Sequence, residues 1–302
     1  SGGGGLWQAK SAEHQQRALY EGFAFPHEAA AMTNQALAEN LSALWGQIVN
    51  PSGQAAVVVV NPLSWQRDDL VEMDWPTQSE PPLMLVDMTT GQEIGCQTTE
   101  SGKLHFVALN VPSLGYKTYC RPAHKPSTAG TDLLATERSL ENAFYHLEVD
   151  DQGNIRRLLD KEDGWEMIDG SSPYELGGFR WYLPKPLRSF VAGENLHQYH
   201  ELYEGEPVPG EVVTPSLSKV QVRSAGQGPV SATLVIDREV ADVFSWHQEL
   251  TLHSGLKRLD IVNTLGLHAD TSGEGERLGY YTFPFALDGP QFRLELPAAL
   301  LT

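Results

Sequence analysis

The strongest constraint on this chain is a change of period near residue 50. Before it, Leu37, Leu41, Leu44 and Ile48 recur at i, i+4, i+7 and i+11, which makes one apolar stripe on a helix. The spacing predicts a helix over 26–49, with Pro26 at its first position and Asn50-Pro51-Ser52-Gly53 ending it. The stretch before Pro26 adds a short helix at most. After Ala55 no helical period lasts beyond about ten residues, and apolar residues either run together or alternate with period two. A helical segment of this size does not bury its own stripe, so the stripe is expected to dock elsewhere.

The first β stretch is "AAVVVVNPLSWQRDDLVEMDWP", residues 55–76. Four valines, Val57 to Val60, read as a strand buried on both faces. Pro62 ends its ladder because it has no N–H to donate. Asn61 offers a side-chain hydrogen bond suited to a turn, and Trp65 is expected to anchor that turn on the core. Strands continue through "PPLMLVDMTTGQEIGCQTT" (81–99), around a Thr-Gly turn, and through "KLHFVALNVPSLGYKTYCRP" (103–122). Residues 51–122 therefore form a small antiparallel β-domain. Residues 123–138 open with a stretch rich in Pro, Ser, Thr, Ala and Gly, which reads as a linker. From 139 to 302 the strands follow one another at short spacing: 140–164 around an Asp-Gln-Gly-Asn turn, then near 198–205, 216–224, 230–240, 244–252, 256–264, 279–287 and 291–297. That pattern predicts a β-sandwich. The organisation read from sequence is thus 1–50 helical, 51–122 small β-domain, 123–138 linker and 139–302 large sandwich.

A formal net charge of −18 argues against nucleic acid or an anionic membrane as a partner. No apolar run is long enough for a transmembrane helix. Cys96 and Cys120 are the only cysteines and are expected to be unpaired thiols in a reducing cytoplasm. His197 and His200 stand at i, i+3, but strand-like surroundings would send them to opposite faces. His268-Ala269-Asp270 lacks further ligand spacing, so no metal site is expected. Carboxylate clusters such as Asp150-Asp151 read as solvated turns, and no nucleophile elbow or phosphate loop is present. The most suggestive group lies in "GGFRWYLPKP", residues 177–186, where Arg180, Trp181 and Tyr182 are candidates for stacking on and hydrogen-bonding a sugar. The competing reading makes Phe179 and Trp181 core residues of a strand, with Arg180 and Tyr182 facing solvent.

Three stretches taken together resemble one family. "VVVVNPLSWQRDDLVEM", "LENAFYHLEVDDQGNIRRLLDKEDG" and "KRLDIVNTL…YYTFPFAL" are similar, in order and spacing, to the β portion of the family 38 glycoside hydrolases, the α-mannosidases. The helix ending in "LAENLSALWGQIV" fits the helical segment before that portion. The resemblance implies a mainly β fold: a short N-terminal helical segment, a small antiparallel β-domain and a large antiparallel sandwich of the galactose mutarotase type, cut short at Thr302. It also implies a retaining α-mannosidase parent acting on mannosides. The nucleophilic aspartate, the zinc ligands and the His-His-Asp motif of that parent lie in an N-terminal catalytic domain outside this stretch. No catalytic residue carries over, no cofactor is expected in this stretch, and zinc or another divalent metal is expected in the parent. The alternatives are a free-standing carbohydrate-binding or scaffolding sandwich, and a sugar mutarotase or lyase with a converging His/Glu pair.

Overall fold

The computed structural model describes residues 12–48, 56–75, 80–99, 101–123, 130–184, 210–240, 244–267, 278–291, 294–296 and 299–301. The expected strand near 198–205, His197, His200 and the His268–Asp270 triplet lie outside the described residues. The chain divides into two compact units, Ser1–Gln54 and Ala55–Thr302.

Among the described residues of the first unit there is one helix, α1 (Ala12–Trp45). It is longer at its start than the leucine stripe predicted. Pro26 does not open the helix but lies inside it; the flanking helix formers tolerate the one lost backbone donor. It also stops earlier. The turn after Trp45 includes Gly46, and Gln47 and Ile48 donate back to Leu44 and Trp45 in three-residue steps.

The second unit is almost wholly antiparallel β. Its first sheet contains β1 (Ala56–Asn61), β2 (Arg67–Met73), β3 (Met84–Asp87), β4 (Glu93–Thr98), β5 (Leu104–Val111) and β6 (Gly115–Cys120), in the order β1-β6-β3-β4-β5-β2. Alternate residues of β5 divide its two faces. Leu104, Phe106 and Ala108 enter the sheet's own core with Leu85, Cys96 and Tyr119, whereas Val107 and Leu109 belong to a separate cluster. Phe106 and Tyr119 meet edge-on at 5.0 Å. Strand β1 is at the sheet's edge, so Val57 is buried but Val58, Val59 and Val60 are only partly so. The valine run is not buried on both faces as its composition suggested, because an edge strand is covered from fewer sides.

The Asn-Pro-Leu-Ser-Trp junction is held by Asn61. Its amide nitrogen lies 2.7, 3.2 and 3.1 Å from the carbonyls of Trp65, Val111 and Pro112, and its Oδ1 accepts the Leu63 N–H at 3.1 Å. The Trp65 ring does not anchor the turn: it is 59% exposed, and only the residue's carbonyl is engaged. Cys96 and Cys120 are buried and form no disulfide, and burial pushes the Cys96 thiol up to about 12.

The second sheet runs β11-β10-β9-β8-β7, from β7 (Leu134–Ala135), β8 (Ser139–Glu141), β9 (Tyr145–Val149), β10 (Ile155–Asp160) and β11 (Trp165–Glu166). The third joins β12 (Gly178–Pro184), β13 (Gly210–Val213) and, later in the chain, β18 (Leu278–Thr282). The fourth is the meander β14 (Leu217–Gln227), β15 (Ser231–Val240), β16 (Phe244–His253) and β17 (Leu259–Leu267). A small ladder, β19 (Leu294–Leu296) with β20 (Ala299–Leu301), follows. Leu140, Leu147, Val149, Ile155 and Leu158 of the second sheet pack on Ala232, Leu234, Ile236, Leu250 and Leu252 of the fourth, which makes a sandwich. The other end of the fourth sheet, Val240, Phe244 and Trp246, packs on Phe179.

The "LEN" stretch has a physical role in this arrangement. Asn142, 1% exposed, donates to the carbonyls of His253 and Leu256 at 2.8 and 3.0 Å and accepts the N–H groups of Phe144 and Tyr145. One side chain therefore shapes the β8–β9 turn and ties it to the end of β16. Similarly, Lys257 reaches Asp160 and Glu162 of the "DKE" turn at 2.8 and 2.6 Å.

Candidate functional site

Strand alternation separates the three residues that the sequence singles out. Trp181 points to the aromatic core side: its ring lies 4.9 Å from Phe179 and 5.7 Å from Phe244, both edge-on, and it is half-buried. Arg180 and Tyr182 belong to the opposite face of β12. There Tyr182 meets Tyr280 of β18 edge-on at 6.2 Å. Arg180, 5% exposed, is not a solvent-facing arginine. It pairs with Glu175, donates from Nη1 to the Phe179 carbonyl at 2.8 Å and lies 5.8 Å from the Tyr174 ring centre. Its Nε has no partner. The structure thus brings Arg180 and Tyr182 onto one face with Tyr174 and Tyr280, two exposed rings that the sequence reading did not include, and sets Trp181 beneath them.

The backbone under this face is positioned from the sandwich core. Gly177 has φ +68°, a conformation open to glycine, and its carbonyl accepts Gln248 Nε2 at 3.0 Å. Gln248 belongs to a polar belt across the inner face of the fourth sheet. Gln248 of β16 and Asn263 of β17 are directly opposite each other, and Arg238 of β15 lies diagonally across from Gln248, opposite Trp246. Arg238 donates to the carbonyls of Gln152 and Gly153 at 3.2 and 2.6 Å and to Gln248 Oε1 at 3.3 Å, and its guanidinium lies 4.1 Å from the Trp246 ring centre. Burial pulls its pKa down to about 10, with Asp150 and Glu175 acting in the opposite sense. The signal for this belt was available: Arg238 follows Ala232, Leu234 and Ile236 in the apolar phase of β15, and Gln248 interrupts Phe244, Trp246, Leu250 and Leu252 on β16. A polar residue in an apolar phase must find partners.

An open cleft of about 440 Å³ lies over the second sheet, with Arg138, His146, Glu148, Asp151 and Arg156 in its lining. Most of its charges are paired: Arg138 with Asp151, Arg156 with Glu148, and His146 with Glu141 and Glu148 at 2.9 Å each, while Asp150 accepts the Gln152 and Asn154 N–H groups at 2.8 Å each. Hydrogen bonds from Lys161 and His146 hold the Glu141 carboxyl below its usual range, and His146 does the same for Glu148. Two carboxylates kept ionised in this way are unsuited to donate a proton at neutral pH.

Among the described residues no three His, Cys, Asp or Glu side chains converge as a metal-binding set. His146 is engaged by two glutamates, His247 by Asp237 and Glu249, and His253 by Asp260. These residues do not fit a zinc ion. No helix among the described residues is long and apolar enough to cross a membrane.

The fold and the paired, largely structural polar groups define an antiparallel β-sandwich module. The Glycosyl hydrolases family 38 C-terminal domain matches residues 140–301, and the chain belongs to that family. Two solved structures are similar. One is an alpha-mannosidase from Enterococcus faecalis V583, with 14% identity and a TM-score of 0.50 over 82% of this chain and 34% of that one. The other is a glycosyl hydrolase family 38 protein from Enterococcus faecalis, with 13% identity and a TM-score of 0.52 over 83% of this chain and 36% of the other. This chain therefore spans about a third of the length of either structure, and at such identities the likeness shows the fold. No curated protein sequence matches the chain.

Proposed function

We propose that residues 1–302 are the non-catalytic β-sandwich portion of an α-mannosidase-like glycoside hydrolase that cleaves α-mannosides in its full-length form. The observation that carries this reading is the match of the family's C-terminal domain to residues 140–301. The alpha-mannosidase named among the similar structures supports it. In this reading the nucleophile, the acid/base group and the zinc belong to a catalytic domain outside this chain, which is its first partner. The parent is cytoplasmic in this reading, in keeping with two buried cysteines that form no disulfide.

The sandwich contributes to substrate through the face that carries Arg180 and Tyr182. Tyr174, Tyr182 and Tyr280 supply ring faces and hydroxyls for a sugar, and Arg180 fixes the surface from below. Trp181 belongs to this reading as the packed support of that face.

The test uses the full-length parent and an aryl α-mannoside. Tyr182→Ala is expected to raise KM or lower kcat, whereas Trp181→Ala is expected to lower the melting temperature. Unchanged kinetics in the folded Tyr182→Ala enzyme would remove the sugar-contact assignment. Turnover by residues 1–302 alone, with added zinc and lost to a chelator, would overturn the non-catalytic reading.

A further inference from the structure

The contact between the first sheet and the end of the fourth is flanked by two buried histidines. His105 on β5 and His253 on β16 are 7% and 3% exposed. Each has one ring nitrogen without a partner, Nε2 in His105 and Nδ1 in His253. His253 meets Asp260 through Nε2 at 2.8 Å. Gln97, the cross-strand neighbour of His105 on β4, accepts the N–H groups of Val230 and Ser231 at 3.2 and 3.0 Å; Ser231 is in turn the cross-strand neighbour of His253. Val107, Val230 and Leu256, with Leu70 and Leu109, form a shared apolar cluster beside them. A Cβ on Gly228 would fall 2.1 Å from Gln97 Oε1, so a side chain there would push the Gln97 amide aside.

The surrounding charges are already engaged. Glu72 on β2, opposite His105, binds Lys103 at 2.9 Å. Arg258 bridges Asp69 on β2 and Asp260 on β17 at 2.9 Å each. Asp132 accepts the Ser254 hydroxyl at 2.6 Å. A protonated His105 or His253 would carry a second N–H donor into a buried site where that nitrogen has no acceptor. Each would also lie in the field of the other. Burial lowers the basicity of His105, and His253 adds to this while Glu72 opposes it. Burial likewise lowers His253, against its bond to Asp260.

We propose that this contact is a proton-sensitive latch: charging His105 and His253 releases the β2–β4–β5 face from the β15–β16 end while both sheets stay folded. The sheets survive because the latch lies outside their cores. Leu104, Phe106 and Ala108 remain in the first core, and Leu250 and Leu252 in the sandwich core. Both rings lose basicity on docking, so the undocked form binds protons more tightly. The docking free energy is complete above the ordinary histidine value of 6.5 and falls as pH drops below it, until the docked rings themselves titrate.

The test follows amide hydrogen exchange in the whole chain from about pH 7.5 to about pH 5.5, corrected for the chemical exchange rate, together with titration of the histidine ring signals by NMR. Val230 and Ser231 should lose protection by about tenfold or more on acidification while Leu147, Leu234 and Phe106 keep theirs, and both rings should titrate below their ordinary value. In His105→Gln/His253→Gln the protection of Val230 and Ser231 should no longer respond to pH. Should that pair of changes prevent folding, His105→Gln alone should reduce the response. Wild-type protection that ignores pH would overturn the latch, and so would a response unchanged in the variants or a ring titrating at or above its ordinary value.

Discussion

Asp87 and Lys117 in the first sheet, and Arg238 in the sandwich, are buried charged groups handled in two ways. Asp87 Oδ2 and Lys117 Nζ are 2.6 Å apart with both side chains buried, so each charge is answered by an opposite one. Among the described residues Arg238 hydrogen-bonds no carboxylate. Two backbone carbonyls, one glutamine oxygen and the face of Trp246 receive it. A charge pair is cheap only while both members are present, because either one alone is a buried ion. A cation held by neutral dipoles asks less of each partner and does not depend on a second titrating group. The comparison teaches that the first sheet carries its polar vulnerability in one pair, while the sandwich spreads its own across a belt.

The sharpest break in this comparison is Lys117→Met, which leaves the Asp87 carboxylate buried and unanswered. It should cost about 3–5 kcal/mol in urea unfolding, whereas Asp87→Leu with Lys117→Met should recover most of that loss. The same pair sets an acid limit. Burial works to raise the Asp87 pKa, but the Lys117 and Thr89 hydrogen bonds outweigh it, and the folded value lies below the ordinary 3.8. The stabilisation from Asp87 is therefore complete above that value and is lost as pH falls below it and through the folded pKa. In the double variant this part of the acid dependence should vanish.

Arg238→Met should come next, at about 2–3 kcal/mol, because it strands the Gln152 and Gly153 carbonyls and Gln248 Oε1 but leaves no buried charge. Circular dichroism melting at neutral pH will rank it against Lys117→Met. An equal or larger loss for Arg238→Met would mean that the belt, not the pair, is the weaker arrangement. Gly153→Ala tests the same turn from the backbone side. Its φ is +75°, and a Cβ there would lie 2.4 Å from Ile236 Cγ2.

The two asparagine hubs extend the comparison to neutral groups. Asn142→Ala should cost about 2 kcal/mol and Asn61→Ala about 1 kcal/mol, since Asn142 joins two sheets through buried bonds, whereas three of the four Asn61 bonds, to Leu63, Trp65 and Pro112, are only part-buried. Chemical denaturation of both variants checks the order. The smallest effect is expected at Trp65→Ala, within about 0.5 kcal/mol, because the ring is exposed and the carbonyl that Asn61 uses remains.

Local pattern by itself determined the change from helix to strands near residue 50, the turns at Thr90-Gly91 and Asp150–Asn154, and the meander from 217 to 267. Each rests on period, on proline's missing donor or on a glycine at positive φ, all properties of a few neighbouring residues. Asn61 was legible as a turn former for the same reason. What remained hidden depended on residues far apart in the chain. Whether Val58–Val60 were covered depended on β1 taking the sheet's edge, and whether Trp65 or only its carbonyl was used depended on where Val111 and Pro112 came to lie. The grouping of Arg180 and Tyr182 with Tyr174 and Tyr280, the belt from Arg238 to Asn263, and the meeting of His105 with His253 are likewise products of strand pairing and sheet packing. Sequence states which face of a strand a side chain takes; only the assembled sheets decide what that face meets.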